Sequence, residues 1–345
     1  MVIVRGRGDG SDVLRYSSKP LVIAARPSAL ARAQAERVGQ ALARLHRGLE
    51  VRYRWLRSAG DRHQQVMAEQ PVGGKGQFTG VIEQAVLAGE ADLAVHSLKD
   101  LPGEETKGLT LAAIPPRASF HDCLISRAGA SSLAELAGGA VVGTSSPRRA
   151  AQVRRIRPDV TIRPIRGNVQ TRLNKVLDPA ADQPEAYDAT LLAEAGLSRL
   201  DLEAYATQPL STGEVMPAAC QGALGLQCRA DDHTTMTRCL PLNDPAAAEA
   251  AHAERQVVAA LGADCHSPVA VLAQRCAPPA SQKRHEGEHF QIEARVASPD
   301  GGQLAAAQRQ ASTRRLRHAV NQLIDDLKQQ RAEAILAAAR RMSGV

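Results

Sequence analysis

The sequence predicts an α/β protein made of two strand-and-helix units followed by a small α+β domain. Three observations carry this. An apolar run, Leu21 to Ala25, is followed by apolar residues at helical spacing, and the same strand-then-helix order returns from Val141. From about Pro245 the order changes to helix, hairpin and terminal helix. With 345 residues the chain has room for two or three domains at about 100–200 residues each.

In the first unit, Leu30, Ala33, Val38, Ala41, Leu42 and Leu45 mark a helix behind the first strand. Ser28 is placed to cap it, and Arg26 just ahead puts a guanidinium beside free helix amides. Val51 to Leu56 is a second strand, leading into a polar, glycine-rich stretch, Asp61 to Gly76, expected to be a mobile loop. Val81, Ile82, Ala85 and Val86 mark a helix closed by Gly89, with a strand over Ala91 to Val95. His96-Ser97-Leu98-Lys99-Asp100-Leu101-Pro102 then sets a carboxylate beside an ammonium where that strand runs out. Pro102 is expected to stop the strand and hold Lys99 and Asp100 in a restricted loop. Two readings stand for this pair. It is a solvated strand end with a local ion pair, or it faces a cleft, since ligands of open α/β sheets collect at the carboxyl ends of strands. Leu109 to Ile114 is the next strand, and Pro115-Pro116 after it is expected to be a crossover between domains.

The second unit has a short strand, Val141 to Gly143, with Ser146 as helix cap and Pro147 at the first helical position. Arg148 and Arg149 then fall in the first turn. Val160 to Ile165 is a strand, Arg166-Gly167-Asn168 opens a helix carrying Arg172, and Tyr187 to Ala193 is a strand ending at Glu194 to Arg199. Arginines thus recur just past strand ends. In the last unit a helix, Ala246 to Leu261, leads to Gly262-Ala263-Asp264-Cys265, a hairpin around Pro299-Asp300-Gly301-Gly302 and one long helix, Leu316 to Arg340.

Composition narrows the function classes. The formal net charge of +7 implies an anionic partner. No uncharged apolar run approaches the ~18 residues of a membrane span. Met1 to Lys19 lacks the apolar core of a signal peptide, so a cytoplasmic protein with a loose N-terminal extension is expected. The six cysteines show no C-x-x-C pair and no Cys/His ligand spacing, which indicates neither zinc site nor disulfide framework and makes most of them buried thiols. The arginines between Thr144 and Arg199 admit two kinds of anion. Single-stranded nucleic acid calls for interleaved aromatics, yet aromatics are 2% of the chain and none interleave. A pocket for a small polycarboxylate fits better, because arginine grips carboxylates with two parallel bonds. Arg154, Arg155 and Arg157 read as a solvated helix face. Gly73-Gly74-Lys75-Gly76 lacks P-loop spacing, which leaves a flexible loop bringing one lysine over a ligand.

These segments, in this order, resemble the porphobilinogen deaminase (hydroxymethylbilane synthase) family from about Leu21 onward. The motifs are Arg26-Pro27-Ser28-Ala29-Leu30-Ala31 with Gln34, Val72-Gly73-Gly74-Lys75-Gly76 with Phe78, the His96 to Pro102 segment, and Gly143 to Arg149. Arg166-Gly167-Asn168-Val169 with Thr171-Arg172-Leu173, Ala195-Gly196-Leu197 with Arg199, Gln221-Gly222-Ala223 and Cys265 follow. Each is weak alone; their shared order is specific. Three positions depart from the family pattern: Pro71 where a lysine is frequent, Cys220 where glycine is common before Gln221, and Gly262-Ala263-Asp264 before Cys265.

The resemblance implies two periplasmic-binding-protein-like α/β domains plus a small C-terminal α+β domain, with the chain crossing between the first two near Pro115-Pro116 and Met216-Pro217. Residues 20–116 and 217–240 would form domain 1, 117–216 domain 2 and 241–345 domain 3, behind a flexible extension over 1–19. It also implies a transferase that joins four porphobilinogen molecules head to tail, each losing ammonia, on a dipyrromethane cofactor thioether-linked to Cys265, and releases hydroxymethylbilane. Losing ammonia leaves an electron-poor azafulvene, so a nearby carboxylate stabilises charge and moves protons, the catalytic role implied for Asp100. Lys99, Arg148, Arg149, Arg172, Arg199, Ser145 and Ser146 would hold the cofactor's acid groups. Arg26, Ser28, Arg166, Lys75, Phe78 and Gln221 would contact substrate. A monomer without metal or nucleic acid is expected. A two-lobed solute receptor would call for export, and an inactive relative would not be expected to keep both Asp100 and Cys265.

Overall fold

The structure, a computed structural model, describes residues 19–57, 79–179, 187–264, 266–278 and 288–343. In the first lobe β1 (Leu21–Ala25) pairs in parallel with both β2 (Val51–Trp55) and β3 (Leu93–Ser97). Alternation along β1 sends Leu21, Ile23 and Ala25 toward α1 (Ala29–Leu45) and Ala24 toward α2 (Gly80–Leu87), so helices cover both faces. β4 (Leu109–Ala113) forms one edge, and β10 (Leu224–Arg229) inserts antiparallel between β3 and β4, giving the order β2-β1-β3-β10-β4.

The second lobe repeats this plan. Its strands are β5 (Asp122–Ser126), β6 (Val141–Gly143), β7 (Thr161–Arg163), β8 (Ala189–Ala193) and β9 (Gln208–Pro209), in the order β7-β6-β8-β5-β9. β6 is parallel to β7 and β8, while β5 runs antiparallel between β8 and β9. In each sheet the fourth position is filled by the first strand made after the chain arrives from the other lobe. The helices here are α3 (Pro147–Ile156), α4 (Val169–Leu177) and α5 (Glu194–Ser198). This is the two-lobed, twice-crossed layout of periplasmic-binding-protein-like folds. After β10 the chain passes α6 (His233–Cys239) and enters α7 (Pro245–Ala260). An antiparallel sheet of β11 (Val269–Cys276), β12 (His289–Ala297) and β13 (Leu304–Ser312) follows. Phe290, Ile292 and Val296 bury against Val257 of α7 and Leu323 and Leu327 of α8 (Leu316–Gln329).

Several local expectations change. The terminal helix is two helices, α8 and α9 (Ala332–Ser343), broken at Arg331 with φ +64°. Gln330 clamps the break by bonding both the N–H and the C=O of Ala306 at 3.0 Å, and the turn brings Ile335 and Leu336 into the core. The strand before Lys99 ends at Ser97, ahead of Pro102. The chain coils there into a 3-10 turn, Leu98–Asp100, because Leu98 packs down over Gly225, where a Cβ would lie 2.8 Å from its Cδ1. Of Arg154, Arg155 and Arg157, expected on a solvated helix face, Arg155 is exposed while Arg154 and Arg157 are half-buried. Arg154 and Arg155 donate to the carbonyls of Pro299 and Gly301 in the β12–β13 turn, and Arg157 donates to those of Leu133 and Leu136. The expected mobile loop over Asp61 to Gly76 lies outside the described residues.

The two crossing segments lie side by side. Ala118 donates to the carbonyl of Gly222 (3.3 Å), and Gly222, at φ +88°, approaches so closely that a Cβ would sit 2.5 Å from two carbonyl oxygens. Glu254 of α7, fully buried, fastens both segments. Its carboxylate accepts from Arg117 Nη1 at 2.6 Å on one crossing, from the Cys220 N–H on the other, and from the Ala273 N–H at 2.7 Å on β11. Cys220 stands at φ +59°, a left-handed conformation that glycine adopts without penalty. Replacing Glu254 with Ala strands Arg117 and two backbone donors, and the expected loss is about 3–5 kcal/mol. Urea unfolding of Glu254→Ala against the parent measures it.

Candidate active site

The carboxyl ends of the strands of both lobes face one another, and three helix starts converge there. Ser28, Ser146 and Asn168 each accept from a backbone N–H of the first turn they cap, that of Ala31, Arg149 and Thr171 respectively. Two of these starts, at Ser28 and Ser146, bring unpaired amides and positive dipole ends to cavities of the cleft. A cavity of about 290 Å³ opens between the lobes and the third domain. Lys99 and Asp100 line it from the first lobe, Ser146, Arg148 and Arg149 from the second, and Asp264 and His266 from the third domain. Those last two flank Cys265, which, like Lys75 and Phe78, lies outside the described residues.

The arginine pair is organised by an anion that motif spacing did not single out. Asp122, fully buried at the start of β5, accepts from Arg148 Nη2 at 2.9 Å, Arg149 Nη2 at 2.6 Å and Gln221 Nε2 at 3.0 Å. Burial alone would raise its pKa, but the two guanidiniums, with Lys99, more than offset that and hold the carboxyl far below the usual range. The two arginines differ in what they have left. Arg148 also gives Nη1 to the Met216 carbonyl at 2.6 Å. Arg149 keeps a buried Nε with no partner among the described residues. Gln221 likewise has a buried, unpartnered Oε1 while its Nε2 bonds Phe120 O and Asp122. The signal for Asp122 was chemical: two adjacent arginines on a helix that must pack inward require a buried counter-anion.

Lys99 is half-buried, and desolvation draws its ammonium down to about 8. Asp100 and Asp122 oppose that fall, and Arg149 and Arg148 add to it. Asp100 itself is exposed at the cavity wall. The remaining sequence-derived residues spread outward. Arg26 and Ser28 line a smaller cavity that also contains Asp100. Ser145 Oγ donates to Ile165 O, Arg172 Nε to Gly167 O and Arg199 Nη2 to Gly222 O, while Arg166 is exposed. Burial, with a neighbouring guanidinium, brings Arg172 and Arg199 down to about 10. Two buried guanidiniums, one with an unmet donor, beside the half-buried cations of Lys99, Arg172 and Arg199 suit a ligand carrying several carboxylates. Among the described residues no three His, Cys, Asp or Glu are grouped to hold a metal ion. None of the helices described is long and apolar enough to cross a membrane.

The family model "Porphobilinogen deaminase, dipyromethane cofactor binding domain" matches residues 21–237. The porphobilinogen deaminase of Sorangium cellulosum is 43% identical over 292 residues, 85% of this chain and 91% of that protein. That of Thiobacillus denitrificans is 40% identical over 318 residues, 92% of this chain and 98% of that protein. Among solved structures, the BenM effector binding domain with benzoate aligns at a TM-score of 0.39 and 13% identity, covering 77% of this chain and 98% of that one. With a family model matching well over half the chain and curated relatives aligned along nearly their whole length, this chain belongs to the porphobilinogen deaminase family.

Proposed function

We propose that this chain joins four porphobilinogen molecules head to tail, releasing ammonia, to give hydroxymethylbilane, on a dipyrromethane primer bound through a thioether to Cys265. The observation that carries the reading is the cavity that gathers Asp100, Lys99, the Arg148–Arg149 pair and both neighbours of Cys265. The donors present fit a dipyrromethane: each ring brings acetate and propionate groups, and the cavity offers the Lys99 ammonium and the unmet Nε of Arg149. When bound, the primer supplies the pyrrole carbon to which the first substrate is joined.

The chain's own residues divide the remaining work. Lys99 and Arg149, with the helix starts after Ser28 and Ser146, neutralise carboxylates. Arg148 and Asp122 act behind them, fixing where the Arg149 guanidinium stands. Asp100, exposed at the end of β3, faces the carbon that loses ammonia, where its charge stabilises the developing cation and can relay a proton. Arg172, Arg166 and Arg199 extend the positive surface along which a lengthening polyanion is held. The same reading divides the chain into 20–116 with 217–240, 117–216 and 241–345, which the membership of the three sheets supports. A monomeric, cytoplasmic enzyme belongs to this proposal.

Intact-mass measurement on protein made in a host that synthesises porphobilinogen is expected to show a dipyrrole adduct that maps to Cys265 by peptide analysis; an unmodified chain overturns the reading. Asp100→Asn is expected to keep the adduct and the melting temperature while turnover falls by about two to four orders of magnitude. Ammonia release followed under saturating substrate checks this. Lys99 gives a pH signature whose sign is fixed. Its folded pKa lies below the unfolded one, so the charged form is disfavoured by folding, and the ammonium is lost as pH rises through about 8. Substrate KM is therefore expected to climb above that pH, approaching about tenfold per pH unit. Lys99→Arg, charged throughout, is expected to abolish that limb in a KM–pH profile.

A further inference from the structure

Beyond the large cavity, the carboxyl end of β3 opens on a second one of about 80 Å³, whose lining includes Arg26, Ser28, Thr79, His96, Ser97 and Asp100. His96 has no part in the mechanism above. It is 5% exposed and shares with Ala94 the face of β3 that meets α2. There it heads a buried relay. His96 Nε2 lies 3.0 Å from Gln227 Oε1, Gln227 Nε2 donates to Glu83 Oε1 at 3.1 Å, and Thr106 Oγ1 donates to the same oxygen at 2.9 Å. The far end sets the direction of the whole chain. A carboxylate only accepts, so Gln227 turns its NH₂ to Glu83 and its carbonyl oxygen to His96, and His96 must then carry its proton on Nε2. Nδ1 is left as an acceptor.

The ring is also kept uncharged. Burial lowers its pKa below the usual histidine value, outweighing Glu83, Gln227 and Asp100, which favour protonation, while Arg255 adds to the fall. A second group in the same small cavity waits for a donor. Thr79 is 3% exposed, and its Oγ1 has no hydrogen-bond partner among the described residues.

We propose that this smaller cavity is the subsite for the aminomethyl ammonium of the substrate, with His96 Nδ1 and Thr79 Oγ1 accepting its N–H bonds beside the Asp100 carboxylate. The inference rests on the function proposed above. A primary ammonium has three donors, and these are three acceptors on one cavity. Arg26 and Ser28 line it too, so a molecule carrying an ammonium and a carboxylate finds a counterpart for each. A neutral imidazole matters here, because an imidazolium would repel the ligand. In the step itself the C–N bond breaks and its electron pair stays on nitrogen. Positive charge passes to the pyrrole system facing Asp100, and neutral ammonia departs with its three hydrogens, which the two neutral acceptors hold until it leaves.

The test uses the adduct-bearing enzyme and three variants. His96→Leu removes the acceptor; His96→Asn returns an amide oxygen near the position of Nδ1; Thr79→Val removes only a hydroxyl that has no partner, so folding is spared. Expected is a rise in porphobilinogen KM of about tenfold or more for His96→Leu, substantially reversed in His96→Asn, and of about threefold or more for Thr79→Val. Methylammonium chloride, used as an inhibitor of the parent enzyme, is expected to compete with substrate and to lose potency in His96→Leu and Thr79→Val. Equal impairment of the two His96 variants, or unchanged methylammonium inhibition, overturns the subsite. If His96→Leu fails to fold, Thr79→Val decides by the same two readouts. A parent enzyme that releases no ammonia from porphobilinogen sinks the function itself, whereas an active parent with indifferent variants sinks only the subsite.

Discussion

The buried Glu254 carboxylate is the constraint on which the arrangement of the three domains depends. It touches both crossings and the third domain, through Arg117, the Cys220 N–H and the Ala273 N–H. Such a charge is tolerable only because every direction it faces holds a donor. The consequence reaches the site. Gln221 follows Cys220, and Asp122 begins the strand to which the Arg117 segment leads, so the residues that position the arginine pair are set by where the crossings are fastened. Cys220 illustrates how tightly: it holds φ +59°, a conformation costing a non-glycine residue roughly 1–2 kcal/mol, because its N–H is fixed by Glu254 and its neighbour by Asp122.

Within the site, charge is managed by one buried anion placed behind several cations. Asp122 takes one bond from each arginine, but the Met216 carbonyl takes a second from Arg148 while the Arg149 Nε is left unmet. That asymmetry turns a helix start with two adjacent arginines into a structural member and a ligand-facing one. Lys99, drawn down to about 8 by burial, is costly to keep charged without a ligand. An incoming carboxylate relieves that cost, so the pocket favours anions beyond simple attraction.

Much of this was legible in the sequence, and for identifiable reasons. The caps at Ser28, Ser146 and Asn168 are local chemistry: a hydroxyl or amide one residue ahead of a helix, with Pro147 at the first position. The motif order was enough to name the family and to point to Asp100, Lys99 and the arginines. What escaped was non-local. β5 and β10 are short apolar strands; the resemblance put their segments in the right lobes, but their antiparallel place between two other strands is set by the crossing, which no period encodes. Asp122, Gln227 and Glu83 carry no motif; they matter because folding brings each against a group far away in sequence. Arg154 and Arg155 look solvent-facing by composition, and only the β12–β13 turn, some 145 residues on, shows what they hold. The break at Arg331 hid inside an alanine-rich helical pattern.

The size of the cleft argues for movement about the fastened crossings. At about 290 Å³, the cavity sits at the small end of the ~300–1,000 Å³ typical of pockets for single small molecules, while the chain to be built gains a ring and two acid groups in each cycle. The direct bonds that the described residues make between the lobes gather around the crossings and two guanidiniums: Gln221 Nε2 to Phe120 O and Asp122, Arg199 to Gly222 O at 2.7 Å and Arg37 to the Ser198 carbonyl at 3.5 Å. The third domain is held to the second lobe by Arg154, Arg155 and Arg295, all donating to carbonyls across that boundary. To the first lobe it is held by Arg255, reaching Leu101 O and Gly103 O at 3.4 and 3.2 Å, by Asn243 and Asp244, which bond both backbone groups of Ile114 at 2.9 Å, and by Ala247 and Ala251 packed with Leu98 and Leu101. The third domain is thus tied to both lobes, and the crossings fastened by Glu254 are where all three meet. Asp100 and the small cavity holding His96 belong to the first lobe and the Arg148–Arg149 pair to the second, so a change in the angle between the lobes resets the distance between that carboxylate and those arginines.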